Sequence, residues 1–575
     1  MKYKNLLILI LLFANHFIFS QEKKEGIGTE VVNVVKSFTP TILDANKISE
    51  NLPQNEANDN GKLTVDYAIF SVPVASTFTP SKGVAARVDK TISEQLFTNF
   101  ASLSTGNYET INAAFNSAQL LENDHFLNVN LNHLSSQGGI KNVALSNKFS
   151  ETLLDATFGL KTKSLSWHAD MGIQNKSYNW YGADAAVLNS SQIAFADLKQ
   201  SYNLFFIGGK IELAENILKE AEFNYDYFSD GYKSIENRVV VQPKIELTIL
   251  NEKFNFNFKF DYLNGSFKNE YIGTNAVKYG YSNVAFEPHY SFVTNDFSLN
   301  FGASLVYSIA NEAGKNKFYL YPNIVASYKI VNDIMIGFAG VEGGLIQNSY
   351  QNFVQINNFL APNLLIVPTD KKFDIYAGLR GKFSSAIGYT IKASVVNEDY
   401  KPMFKNTIYN TSSVLNAGFL FGNSFDIIYD TVKTISISGE LTADFSKNTT
   451  FKIQGVFNKY IVSNEVEPWN LPNLQLNSSL DFEITKKWGA GFKLFFVGIR
   501  KDQFVQITNS TNFTVIDKVL DGYLDINADI NYKLNNKWGF FLKGNNLANQ
   551  NYQRWSNYAV QGIQVLFGAS YKFDF

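Results

Sequence analysis

The sequence predicts an all-β chain: a transmembrane antiparallel β-barrel of about 22 strands (20–22), preceded by a short N-terminal periplasmic or lumenal segment. Three observations predict it. The composition is poor in charge without being apolar, apolar and polar residues alternate over runs of ten or more, and tight turns alternate with long polar connections. Charged residues make up 18% of the 575, with 50 Phe and 30 Tyr, where an average soluble chain has roughly 25% charged residues. Mean hydropathy is nevertheless −0.12, because Asn, Ser, Thr and Lys balance the aromatics. A helical membrane protein would be far more apolar, and a disordered chain would lack the Phe and Tyr. Abundant aromatics beside small polar residues suit strands with one face in lipid and the other in water.

In chain order, residues 1–20 read as an export signal. Lys2 and Lys4 precede an unbroken apolar run from Leu6 to Ala14, and Ser20 places a small residue before Gln21. The run is too short to span a bilayer as a helix, and no later stretch reaches the ~18 apolar residues that would. Residues 21–92 form a short segment poor in aromatics, expected to lie in the periplasm or in a lumen. Within it Val31-Val32-Asn33-Val34-Val35 is β-prone, and Ser71 to Pro80, with Pro73 and Pro80, reads as extended chain.

Residues 93–575 are the predicted barrel. From Lys253 to Tyr262, Phe254, Phe256, Phe258, Phe260 and Tyr262 alternate with Lys, Asn and Asp. Strand side chains point to opposite faces with period two, so one face is aromatic and the other polar. The pattern recurs from Phe297 to Ile309, from Leu524 to Leu534, and at Leu127, Val129 and Leu131 between asparagines. Such runs exceed the ~5–6 residues of soluble strands and match the ~9–11 of a tilted membrane strand. The first two strands are expected around Leu96–Thr105 and Tyr108–Ser117. Tight turns fall at Asn251-Glu252, Thr294-Asn295-Asp296, Asn332-Asp333, Ser384-Ser385, Ser446-Lys447-Asn448, Lys486-Lys487 and Asn535-Asn536-Lys537. Longer connections fall near 176–199, 265–278, 347–371, 406–421 and 464–473. Short turns on one rim and long loops on the other describe an outer-membrane barrel, and Trp488 and Trp538, each just after a short turn, fit an interfacial aromatic belt.

Residues Trp538 to Phe575 resemble the end of TonB-dependent receptor barrels: Gly544-Asn545-Asn546-Leu547, then Asn549, Tyr552 and Gly562, and a last strand ending Tyr571-Lys572-Phe573-Asp574-Phe575. The resemblance implies that Tyr571, Phe573 and Phe575 serve as the C-terminal signal read by the barrel assembly machinery, and that the cell outer membrane is the destination. It also implies transport or uptake, with a TonB-type energy transducer as a candidate partner; Val31 to Val35 could engage it. One departure stands out. Receptors of that family carry an N-terminal plug folded inside the barrel, and residues 21–92 hold no recognisable plug motif.

Chemistry is sparse. Cysteine is absent, so disulfides and thiolate metal sites are excluded. Only five of the 50 basic residues are Arg, scattered at 87, 238, 380, 500 and 554, which argues against a nucleic-acid partner. His125 and His133 stand about 26 Å apart on one strand at ~3.3 Å per residue, too far to share a metal. With no nucleophile turn, phosphate loop or metal-ligand spacing, neither an enzyme nor a cofactor is expected. The connection 347–371 is unusually apolar, with Phe353, Phe359, Leu360, Leu364 and Ile366. Either it packs back over the barrel mouth, or these side chains form a contact surface for another protein. The sequence thus leaves two readings: a transport barrel, or a plug-less scaffold barrel in an outer-membrane assembly, secretion or surface-display complex, with that complex's other subunits as partners.

Overall fold

The structure is a computed structural model that describes residues 97–143, 145–183, 197–268, 270, 275–312, 314–408, 417–446, 448–509 and 512–574. The export signal, the segment 21–92 with Val31 to Val35, and Phe575 lie outside the described residues. The chain divides into two units, Met1–Lys90 and Thr91–Phe575, and the described residues all belong to the second.

Twenty-two strands pair antiparallel, each with the next along the wall, from Asn99–Gly106 to Gln564–Phe573. The first and last then pair with each other, Asn99 with Phe573 through Gly106 with Leu566, and the sheet closes. Closure removes both edges, so every wall strand has hydrogen-bonded neighbours on its two sides, as a chain without water around it requires. The second strand, Thr110–Leu120, begins two residues later than the periodicity suggested, and the first begins three later. Among the described residues no helix is long and apolar enough to cross a membrane; any crossing is made by strands.

The phase of the alternation is the expected one. In the strand Glu252–Phe267, Phe258 and Phe260 face outward and are exposed, while Lys259 and Asp261 face the lumen and pair at 3.1 Å. In Phe297–Ala310, Phe301 and Tyr307 are exposed outside and Ser304 and Ser308 are buried inside. The last strand carries Val565 and Phe567 outward, with Leu566, the residue that breaks its polar face, buried within.

The predicted turns lie together on one rim. The first falls one residue earlier than expected, at Leu250-Asn251, because both residues take positive φ (52° and 66°), the backbone that a two-residue hairpin matching strand twist needs. On this rim Trp488 and Trp538 are 44% and 43% exposed and pack on Tyr532 and Tyr571 at ring distances of 4.7 and 4.6 Å. They face outward as an aromatic belt does, not into a core.

On the loop rim the strands end at very different heights. Phe425–Ser446 has 22 residues and Ile387–Asn406 has 20, whereas Asn99–Gly106 and Trp538–Asn545 have 8 each. Since a membrane strand needs only ~9–11 residues, the wall around 387–446 rises well beyond a bilayer. Two connections that the periodicity did not mark lie on this rim as well. One is a ribbon of two strands, Arg500–Asn509 and Asn512–Leu520, paired only with each other; the other holds the short strands Gln553–Trp555 and Tyr558–Ala559.

Candidate functional site

Among the described residues the largest cluster of buried hydrophobic side chains lies on the loop rim, with the connection 347–368 at its centre. Ser349 opens a short helix, Tyr350–Ile356, its side chain accepting from the Asn352 N–H at 3.1 Å. Two further backbone donors at that helix start are free of helical partners, as at any helix N-terminus. They find the Glu236 carboxyl on the barrel wall: Tyr350 N–H donates at 2.7 Å and Gln351 N–H at 3.0 Å, and Tyr279 adds its hydroxyl at 2.8 Å. The Tyr350 hydroxyl donates to Asp230 at 2.9 Å. Asp230 is itself held by the N–H groups of Tyr232 and Ser234 at 2.9 and 2.8 Å. Burial, then the nearby Asp230 and Tyr202, hold the Tyr350 phenol well above its ordinary range, so it stays a neutral donor.

Around this polar anchor lies an aromatic cluster. Tyr350 meets Tyr202, Phe228 and Phe267 edge-on, at ring distances of 5.9, 5.3 and 4.9 Å. Tyr178 and Tyr202 share a hydroxyl hydrogen bond of 2.8 Å, and Tyr202 donates onward to the Asn358 carbonyl at 3.0 Å. The same loop is stitched to the tall wall by Ala361 N–H to Phe425 O and Phe425 N–H to Phe359 O, each 2.9 Å. Other connections join it. Asn423 donates to the Trp180 carbonyl at 2.9 Å and accepts at its own carbonyl from the Tyr558 hydroxyl, while Phe359 stacks on Tyr558 at 3.6 Å. Segments of the connections 180–198, 347–368, 407–424 and 546–563 therefore form one knitted cap over the barrel mouth.

Of the side chains offered as a partner-contact surface, Phe353, Leu360, Leu364 and Ile366 are buried in this cap, and Phe359 is half-buried against it. In this arrangement they pack within the cap and are not available to another protein; Ile356 and Leu365, 52% and 60% exposed, are the apolar residues of the loop that face outward. At the other rim Tyr571 stacks on Phe573 at 5.3 Å. Sequence reasoning missed Glu236 and Asp230, which anchor the helix, and Trp555 and Tyr558, which complete the cap. The close spacing of Tyr552, Trp555 and Tyr558 in a segment without alternation was the available signal for the second pair. Nothing local distinguished Glu236 from any other lumen acid.

Among the described residues no group of three or more His, Asp or Glu is placed to hold a metal. His133 is occupied by Thr152 and Ser135, at 2.8 and 3.1 Å.

No family model matches the sequence, and no curated protein does. Solved structures do resemble the fold. The FrpB iron transporter from Neisseria meningitidis superposes with a TM-score of 0.63 at 10% identity, covering 84% of this chain and 82% of its own. The ferripyoverdine receptor of the Pseudomonas aeruginosa outer membrane gives 0.60 at 10% identity, covering 83% and 72%. The ferric-catecholate import receptor Fiu from E. coli K12 gives 0.60 at 9% identity, covering 83% and 82%. The barrel fold is that of TonB-dependent receptors, as its C-terminal residues suggested.

Proposed function

We propose that this protein is an outer-membrane uptake barrel whose mouth is kept closed by its own loops. The observation that carries the reading is the cap: loop 347–368 is folded onto the lumen wall through Glu236 and Asp230, with its apolar side chains buried. A 22-stranded wall encloses a lumen too wide for wall side chains to fill, so a seal matters if the barrel is to pass some solutes and not others. The solved structures of like fold are described as an iron transporter, a ferripyoverdine receptor and a ferric-catecholate import receptor, which supports uptake as the class of activity. On this reading the tight turns face the periplasm, the loops face the exterior, and opening is driven by a TonB-type transducer on the periplasmic side.

Planar-bilayer recordings test it. The full chain is compared with a variant in which residues 349–366 are replaced by a short Gly/Ser linker. We expect low conductance from the intact protein and large, long-lived openings from the variant. A wide pore already open in the intact, isolated protein would overturn the reading and favour a scaffold whose seal comes from another subunit.

A further inference from the structure

The cap is not uniformly packed. Beside loop 347–368 it leaves a cavity of about 380 Å³, within the ~300–1,000 Å³ range of small-molecule sites. Phe149, Tyr178, Tyr181, Phe359 and Tyr558 supply aromatic surface to it. Three cations border it, Lys148, Lys176 and Arg554, against a single acid, Glu151. That acid is already engaged: its Oε1 accepts from Gln174 at 2.7 Å and lies 3.5 Å from the Lys176 ammonium. Lys148 and Arg554 are exposed and make no ion pair among the described residues.

Arg554 is held in place from beneath. The buried Arg500 guanidinium donates to the carbonyls of Arg554 and of Gln553, the latter at 2.8 Å. Trp555 packs on Phe404 and Phe425 at 5.2 and 5.4 Å. Trp555 is buried, while the neighbouring Arg554 is exposed and borders the cavity.

A second cavity of about 330 Å³ lies beside the first and shares Phe149, Gln561 and Gln564 with it. It is lined by the wall residues Lys493, Lys543 and Asp529. The partition between the two is made of side chains. Gln561 spans it, donating to Ser136 Oγ at 2.9 Å and to the Gly138 carbonyl at 2.7 Å, and accepting from Gln564 at 2.7 Å.

We propose that the outer cavity binds a small aromatic anion, and that Phe149, Gln561 and Gln564 form the constriction through which it reaches the lumen, beside the cap and not through its centre. The inference rests on the uptake reading and names its substrate class. An anion meets two cations that lack acidic partners, while its ring meets aromatic faces. A cationic ring would meet like charge, and a neutral polar solute would leave both cations unpaired. The lumen cavity beyond carries two more lysines against one aspartate, so the same charge preference continues inward.

The test uses the full chain in detergent with naphthalene-2-sulfonate and, as its cationic counterpart, 2-naphthylmethylammonium, read by equilibrium dialysis. We expect saturable one-site binding of the sulfonate, none of the amine, binding at least tenfold weaker in K148Q/R554Q, and no change in K486Q on the turn rim. Equal binding of sulfonate and amine, or unchanged binding in the double variant, would overturn the site. Uptake by energised cells that make the protein together with a TonB-type transducer then separates this inference from the reading beneath it. Sulfonate bound as expected by the purified chain but taken up no faster than by cells lacking the protein sinks the uptake reading and leaves the site standing. Uptake that proceeds unaltered in K148Q/R554Q sinks the site alone. Asn545→Trp, which lines the lumen cavity beyond the constriction and not the outer one, should keep binding and lose passage; if its unboiled gel mobility shows that it has not folded, Asn527→Trp, likewise confined to the lumen cavity, carries the same test. Passage undiminished in a folded variant overturns the constriction.

Discussion

Asp502 sits on the ribbon Arg500–Asn509, fully buried where that ribbon meets the tall wall. Its Oδ1 accepts from the N–H groups of Asn406 and Gln503 at 3.0 and 2.8 Å, but its Oδ2 has no donor, and neither does the buried Oδ1 of Asn470. Burial pushes the Asp502 carboxyl up to about 6, outweighing the hydrogen bonds, that with Asn470 first among them, that hold it down. A folded-state value above the ordinary ~3.9 means that the folded chain holds the proton more tightly. The stabilisation is therefore complete below about pH 4 and is lost as pH rises through about 6, on a scale of ~2–3 kcal/mol at 1.36 kcal/mol per unit. Hydrogen exchange in the ribbon, corrected for intrinsic rates, should lose protection between pH 5 and pH 8. Asp502→Asn, whose amide is neutral at any pH, should flatten that profile. Identical pH dependence in the two proteins would show that another group titrates. None of this was legible in sequence: the acid lies in a segment that alternates like a wall strand, and its burial depends on Asn406, at the end of the wall strand Ile387–Asn406, and on Asn470 from another connection.

The elements divide by how local their causes are. Wall strands and tight turns were legible because period two and turn chemistry are written within a dozen residues, and Phe254 to Tyr262 shows its outward face without any partner being known. The ribbon at 500–520 and the short strands at 553–559 were not separated from the wall by pattern. Alternation reports that a strand has two unlike faces and is silent about which edge pairs with it. Loop 347–368 was half legible. Its apolar load announced burial, but the direction of burial is set by Glu236, 114 residues from Tyr350 in the chain. That carboxyl holds two backbone donors of the helix start. Replacing it by alanine leaves them buried and unpartnered, a cost of about 1–3 kcal/mol. Glu236→Ala should therefore raise exchange over residues 350–356 by roughly 5- to 150-fold, by the tenfold per 1.4 kcal/mol rule, while the barrel keeps its unboiled gel mobility. Unchanged exchange there would mean that the aromatic cluster alone holds the cap.

Across the whole molecule the wall is uneven, and its weakest arc is where the chain closes on itself. Eighteen residue pairs join Ile387–Asn406 to Phe425–Ser446, but eight join the first strand to the last and six join Tyr523–Lys533 to Trp538–Asn545. Side chains reinforce the closing seam at both ends. On the turn rim Asp574 Oδ1 accepts from the Thr98 N–H and hydroxyl at 2.8 and 3.1 Å. On the loop rim Asn107 donates to the Ile563 carbonyl at 2.6 Å and accepts from the Val565 N–H at 2.9 Å. Hydrogen bonds of this kind contribute ~0.5–1.5 kcal/mol each, and about twice that when one partner is charged. Because a closed barrel opens within an arc where few cross-strand bonds must break, and the seam lies in that arc, losses at the seam fall on the step that begins unfolding. N107A/D574A should lower the temperature at which the compact gel band of the unboiled protein converts to the unfolded one, by about 5 °C or more. Asn175→Ala removes a side-chain bond of 2.7 Å to Asn203 in an arc where fifteen pairs hold two strands together. It should lower that temperature by far less. If the Asn175 variant loses as much as the seam variant, opening starts elsewhere, and the short closing arc has no special place in the barrel's stability.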